Sequence, residues 1–276
     1  EAQPDIVDIC VPTPAHRGYV ERAALAGKAI FVEKPLARTM ADCGALIDLV
    51  ARTGVPLMPG HVLRYFPQYA AAKRMVDSGA IGLPAAIRTA RMAGMPRANV
   101  EGNWYGDPAQ SGGVVLDMII HDFDWLRWTF GPVTRVYAKG LYNDPKSHGI
   151  RDYALVTLRF ESGAMAHVTG SWAHPGGFRT TLEVAGDGGM IEYVSATSSP
   201  LTIAKQAKAG APPPVAIPES PAPDDQDPYY LELNEFATAV REGAPPPITV
   251  RDAAEAVRIA LAALESIETG KVVTLS

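Results

Sequence analysis

The chain has only two cysteines, Cys10 and Cys43, in 276 residues, with no CxxC pair and no histidine close to either. That excludes a disulfide framework, argues against a structural zinc site, and makes a reducing, cytoplasmic compartment the default expectation. Long apolar runs are also missing. The longest, such as Gly112–Leu116 and Ile259–Leu264, fall far short of the ~18 residues a membrane span needs. There is no excess of positive charge: 25 Lys+Arg stand against 30 Asp+Glu, a net charge of −5. No basic field therefore recruits nucleic acid or anionic lipid. The sequence contains no GxSxG elbow and no P-loop, so serine hydrolases of that type and P-loop NTPases fall away. What remains is ordinary globular material, 47% apolar and 20% charged, long enough for one large domain or two modest ones.

The first sixty residues alternate strand and helix. Ile6–Val11, Ala29–Val32 and Val55–Met58 read as short buried strands. Between them lie a helix over Tyr19–Ala26 closed by Gly27, and one over Met40–Arg52 with Thr39 as N-cap, Asp42 three residues on, and Gly54 after it. Near-continuous apolar strands separated by helices predict a parallel sheet covered on both faces. The pattern changes near His61. A helix fits Pro67–Asp77, a strand Leu83–Met92, and a glycine-led helix Gly113–Phe130. Five strands then crowd together: Val133–Leu141, Tyr153–Phe160, Ala164–Ser171, Arg179–Ala185 and Met190–Val194, with hairpin turns at Glu161–Gly163 and Gly186–Gly189. From Ala211 to Pro223, six of thirteen residues are proline, which predicts an extended loop. Helices over Tyr229–Glu242 and Arg251–Thr269 close the chain, the second capped by Thr249 with Asp252. The expected fold class is α/β plus α+β. A partial Rossmann-type parallel sheet over residues 1–60 precedes a domain over 61–276, whose large, mostly antiparallel open-faced sheet has helices on one face.

Residues suited to chemistry gather at predictable places. Ligands of parallel sheets bind at the carboxyl ends of the strands. Glu33-Lys34-Pro35 stands at one such end, and Pro12-Thr13-Pro14-Ala15-His16 at another. Proline after Lys34 restricts its direction, and X-Pro bonds adopt the cis form more readily than others. The bland alternative is a surface ion pair and a plain βα loop. Asp117 and His121 are spaced i, i+4, which puts them on one face of the Gly113–Phe130 helix. A carboxylate beside a histidine supports proton transfer. Two other readings stay open: a solvated helix face, and a metal site completed by the distant His61. Arg64 follows the third strand, and Asn103-Trp104-Tyr105 offers an aromatic platform for an apolar sugar face.

Taken together, these motifs resemble the Gfo/Idh/MocA family of NAD(P)-dependent oxidoreductases, typified by glucose–fructose oxidoreductase and inositol dehydrogenase. The likeness rests on the order and spacing of Val11–His16, Glu33-Lys34-Pro35, Gly60–Tyr65 and Gly112-Gly113 followed by Asp117-x-x-x-His121, and it runs over nearly the whole chain. It implies hydride transfer between NAD or NADP and a hydroxyl-bearing carbon of a sugar, inositol or related polyol. It also implies Lys34, Asp117 and His121 as catalytic residues, with a cis peptide before Pro35. Pro12, Thr13, Pro14, His16, Glu33 and Lys34 become cofactor contacts. Arg64, Asn103 and Trp104, with Asp117 and His121, become substrate contacts. A homodimer or homotetramer through the antiparallel sheet is expected, with no resident metal. The family's opening GxGxxG turn is absent from the sequence, which leads us to expect roughly 60–70 residues ahead of residue 1. A signal for the periplasm would lie in that same stretch. Two further readings are carried: an NAD-assisted glycosidase, and an inactive chain serving as a binding protein or scaffold.

Overall fold

The computed structural model describes residues 3–96, 104–141, 152–195 and 227–275. Asn103 and the proline-rich Ala211–Pro223 stretch lie outside the described residues.

Three parallel strands form the first sheet, β1 (Ile6–Ile9), β2 (Ala29–Glu33) and β3 (Leu57–Gly60), in that spatial order. Helices α1 (His16–Leu25) and α2 (Met40–Thr53) connect them. Strand β2 sits in the centre, so Ala29 through Val32 are all buried. The α2 start follows its caps: Thr39 accepts from the Asp42 amide, and Gly54 ends the helix at φ +68°. Two boundaries differ from expectation. Helix α1 begins three residues early, because His16 is buried and anchored at its first turn. Strand β3 lies two residues later than expected, since its register sets Leu57 opposite Ile30 and Gly60 opposite Glu33.

The remainder builds one seven-stranded sheet: β4 (Pro84–Met92), β5 (Val133–Leu141), β6 (Tyr153–Phe160), β7 (Met165–Ser171), β8 (Arg179–Gly186), β9 (Met190–Val194) and β10 (Val273–Thr274). The order is β10-β5-β6-β7-β4-β8-β9, antiparallel except where β4 runs parallel to β7. Its helices are α3 (Pro67–Asp77), α4 (Pro108–Ser111), α5 (Gly113–Asp117), α6 (Ile120–Phe130), α7 (Pro228–Glu242) and α8 (Val250–Thr269). Helix α8 opens with a capping box between Thr249 and Asp252. Strand β6 shows how the sheet divides inside from outside. Ala154, Val156, Leu158 and Phe160 are buried beneath the helices, while Leu155 between them faces out. Gly170 marks the closest approach of sheet to helix, since a Cβ there would stand 2.7 Å from Cγ2 of Ile119. Helix α7 reaches back to the first sheet, where Phe236 packs on Phe31 of β2 with ring centroids 6.1 Å apart. Among the described residues no helix is long and apolar enough to cross a membrane.

The expected helix over Gly113–Phe130 is two helices. Helix α5 stops at Asp117 and α6 starts at Ile120. At the break, the amides of Met118 and Ile119 both bond the Val114 carbonyl, at 3.1 and 3.0 Å. The Asp117 carbonyl is turned to a partner from outside the helix, the Lys34 ammonium at 2.7 Å. Asp117 and His121 are therefore not successive turns of one helix. They flank a break.

Candidate active site

The carboxyl ends of β1, β2 and β3 emerge side by side and carry the first half of the site. After β1, a 3-10 turn over Thr13–Ala15 leads into α1. His16 locks this loop in place: one ring nitrogen lies 2.9 Å from the Val11 carbonyl and the other 2.9 Å from the Pro35 carbonyl. Burial is the main reason its imidazole is held below the usual histidine range. Thr13 and His16 are thus interior, while Pro12 and Pro14 are exposed. Of the four residues of this loop among the six expected to touch a cofactor, the two prolines present their side chains outward. Thr13 and His16 shape the loop from within, and His16 joins it to the segment following β2.

At the end of β2, the Glu33 carboxylate accepts the backbone N–H of Lys34 at 3.0 Å. The Lys34–Pro35 peptide is cis, as the resemblance implied. The Lys34 ammonium then crosses to the α5–α6 break, donating to the Asp117 carbonyl at 2.7 Å and to its carboxylate at 3.2 Å. Both side chains are largely shielded, 17% and 12% exposed, so the pair is poorly screened by solvent but still reachable. His121 follows on the first turn of α6, and its Nδ1 is buried with no hydrogen-bond partner among the described residues. Burial, then the positive charges of Lys34 and Arg91, hold this imidazole well below the usual histidine range. It is therefore neutral at pH 7, the form that accepts a proton.

Aromatic and acidic groups line the surroundings. The Trp104 and Tyr105 rings lie 4.2 Å apart, and Trp172 meets Tyr105 edge-on at 6.4 Å. Burial first, then Asp117 and Glu33, push the Tyr105 hydroxyl up to about 12. Tyr105 therefore stands near the Lys34–Asp117 pair, with the Trp104 ring beside its own.

Such an arrangement suits proton transfer from a hydroxyl that is being oxidised: a neutral imidazole, a cation to stabilise alkoxide, and a carboxylate to bind the hydroxyl. The buried orphan atoms also fit a polar ligand, since both ring nitrogens of His61, Nδ1 of His121 and Oε1 of Glu232 have no partner among the described residues. A family model for an oxidoreductase family with an NAD-binding Rossmann fold matches residues 1–61, and one for the GFO/IDH/MocA C-terminal domain matches residues 69–192. The scyllo-inositol 2-dehydrogenase (NAD(+)) of Bacillus subtilis is 35% identical over 98% of this chain and 78% of its own length.

The chain belongs to the Gfo/Idh/MocA oxidoreductase family.

A myo-inositol 2-dehydrogenase of Thermotoga maritima is 32% identical over 98% of this chain and 80% of its own length. The crystal structure of a myo-inositol dehydrogenase from Corynebacterium glutamicum superposes with a TM-score of 0.81 at 25% identity, covering all of this chain and 81% of that one. This Gfo/Idh/MocA chain is accordingly an NAD-dependent oxidoreductase.

One expectation needs correction. Arg64 was expected at the substrate, but the structure gives it an interior partner. Its Nε and Nη2 donate to the two carboxylate oxygens of Asp124 at 2.7 and 2.6 Å, and its side chain is only 6% exposed. Among the described residues, no three His, Cys, Asp or Glu side chains form a group that could hold an ion.

Two groups escaped the sequence, and a third, His61, was named there only for a metal site. His61 is fully buried with Nδ1 3.9 Å from Asp124, and burial keeps it below the usual histidine range. Arg91 on β4 donates to Asp122 at 2.8 Å inside the protein. Glu232 on α7 has its carboxyl pushed up to about 9, by burial first and Glu33 next. Neither period nor spacing marks any of them, because each gains its setting from an element distant in sequence.

Proposed function

We propose that this chain oxidises a secondary alcohol of an inositol or related polyol, passing hydride to NAD, with Lys34, Asp117 and His121 as the reacting groups. One observation carries the reading: the Lys34 ammonium is held on Asp117, at 2.7 Å from its carbonyl and 3.2 Å from its carboxylate, next to an imidazole kept neutral by burial and positive neighbours. In this division of labour residues 1–60 hold the nicotinamide end of the cofactor and residues 61–276 hold the substrate and the catalytic α5–α6 break.

NAD, when bound, supplies the acceptor for the hydride. Pro12, Pro14 and Glu33 stand at the strand ends where its nicotinamide end would rest. The substrate hydroxyl is taken between Lys34 and Asp117. As the carbon gives up hydride, His121 receives the hydroxyl proton, and the Lys34 ammonium stabilises the negative charge developing on oxygen. One C–H bond and one O–H bond break. Two electrons leave with the hydride, and the proton ends on imidazole. In the reverse direction imidazolium returns it. Trp104 and Tyr105 offer an apolar face to the ring of the polyol, and Asn103 is proposed as a further substrate contact.

Mixing the protein with NAD and a panel of inositols and aldoses should release NADH together with an equimolar ketone. Release of a glycoside leaving group without net NADH would replace the dehydrogenase reading with an NAD-assisted glycosidase.

The outward face of the large sheet is assigned to self-association as a homodimer or homotetramer. Leu155, Met165 and Met190 remain 41%, 43% and 57% exposed on that face. Light scattering should return a multiple of the chain mass, and a monomer mass would remove this interface.

A further inference from the structure

The break that frees Asp117 leaves His121 near a helix start with no side-chain cap. Something else has to fix that turn. Two buried arginine–aspartate pairs do so, through the aspartates one and three residues after the histidine. Arg64 comes from the 3-10 turn after β3 and holds Asp124; Arg91 comes from β4 and holds Asp122. The two pairs are not equivalent. Arg64 is bidentate on Asp124. Arg91 makes a single bond through Nε, while its Nη2 and the Oδ1 of Asp122 are buried without partners among the described residues. Arg91 is 5% exposed and Asp122 1%, so neither charge is diluted by water. A guanidinium held by a single bond is therefore lodged next to the turn that carries His121.

We propose that Arg91 is a positioning residue for His121, fixing the first turn of α6 through Asp122 and placing a permanent positive charge close to the imidazole. Three cationic or basic groups act on the His121 ring from three different elements: Lys34 from the end of β2, Arg91 from β4 and His61 from the start of the turn after β3. All three oppose its protonation. Lys34 is already engaged by Asp117, and His61 is itself held neutral by burial. Arg91 is thus a cation acting on His121 from outside the reacting groups. Asp122, its ion-pair partner, carries an offsetting charge, while Tyr69 and Tyr229 also feel Arg91 and carry none at neutral pH. The chemical consequence is a base that stays ready to accept a proton down to acidic pH, and an imidazolium that gives its proton up readily once formed.

The inference rests on the reading of His121 as the base only in its kinetic arm; the spectroscopic arm is independent of function. The variant pair Arg91→Met with Asp122→Leu removes both charges together, which avoids leaving one of them buried alone. In protein carrying labelled histidine, the His121 ring signal should then titrate higher by about half a pH unit or more. The acid limb of kcat/KM should move up by the same amount, with KM little changed. Arg91→Lys, which keeps the charge and Asp122, should return both towards the parent. If the double variant does not fold, Arg91→Gln with Asp122→Asn removes both charges while leaving two amides that can still hydrogen-bond at the same place. An unchanged His121 titration in a folded charge-free variant overturns the proposal. A ring titration that moves while the acid limb stays fixed supports the positioning role and removes His121 as the base.

Discussion

Turnover falls by about 10²-fold or more in His121→Ala, measured as NADH formation at saturating NAD and polyol. The size follows from the job. Oxidation of an alcohol leaves a proton that has to go somewhere as the hydride departs, and water inside a shielded site is a poor base. His121 is suited because it is neutral: burial and the charges of Lys34 and Arg91 all disfavour its protonated form. Alanine removes the acceptor without touching the Lys34–Asp117 pair, so substrate affinity should change far less than kcat. An unchanged rate would mean the proton leaves by another route.

Arg64→Met destabilises the protein by about 3–5 kcal/mol, the usual result of stripping one partner from a buried ion pair. Asp124 would then be left at 1% exposure without its arginine, and the His61 ring 3.9 Å away is disfavoured from taking a charge by burial. The loss includes packing as well as charge, because the Arg64 guanidinium lies 5.0 Å over the Trp128 ring. Adding Asp124→Leu should restore much of the stability, since the orphaned charge is then gone. Denaturant unfolding of the single and double variants reads both effects. Had Arg64 been a substrate contact on an open surface, the single change would raise KM and leave stability within about 0.5 kcal/mol of the parent.

Most of the architecture was legible in local chemistry. Thr39 with Asp42, Pro67 with Gly79, and Thr249 with Asp252 mark α2, α3 and α8 through caps and stops that act within a few residues. Alternation along Tyr153–Phe160 marks an outer and an inner sheet face. The parallel pairing of β4 with β7 was not visible, because strand direction depends on the path of the intervening chain. The α5–α6 break was hidden for a similar reason. Val114 through Phe123 contains neither proline nor glycine, and the run reads as one helix. What stands at the break is a lysine 83 residues away on the Asp117 carbonyl. The same holds for the interior arginines. A sequence shows Arg64 and Arg91 as cations, but their carboxylates sit 60 and 31 residues off. Glu232 is drawn inside because Phe236, one turn along α7, docks on Phe31. Glu33-Lys34-Pro35 and the Asp117–His121 spacing point to the right place, while the reason they meet is tertiary.

The reading of Lys34 as a stabiliser of developing negative charge separates chemistry from cofactor binding, and Lys34→Met tests it most directly. Kcat for polyol oxidation and the Kd for NAD are measured on the same preparation. The account predicts a fall in kcat of about 10²–10³ with the Kd essentially unchanged. A loss confined to NAD affinity, or an unaltered kcat, would contradict it.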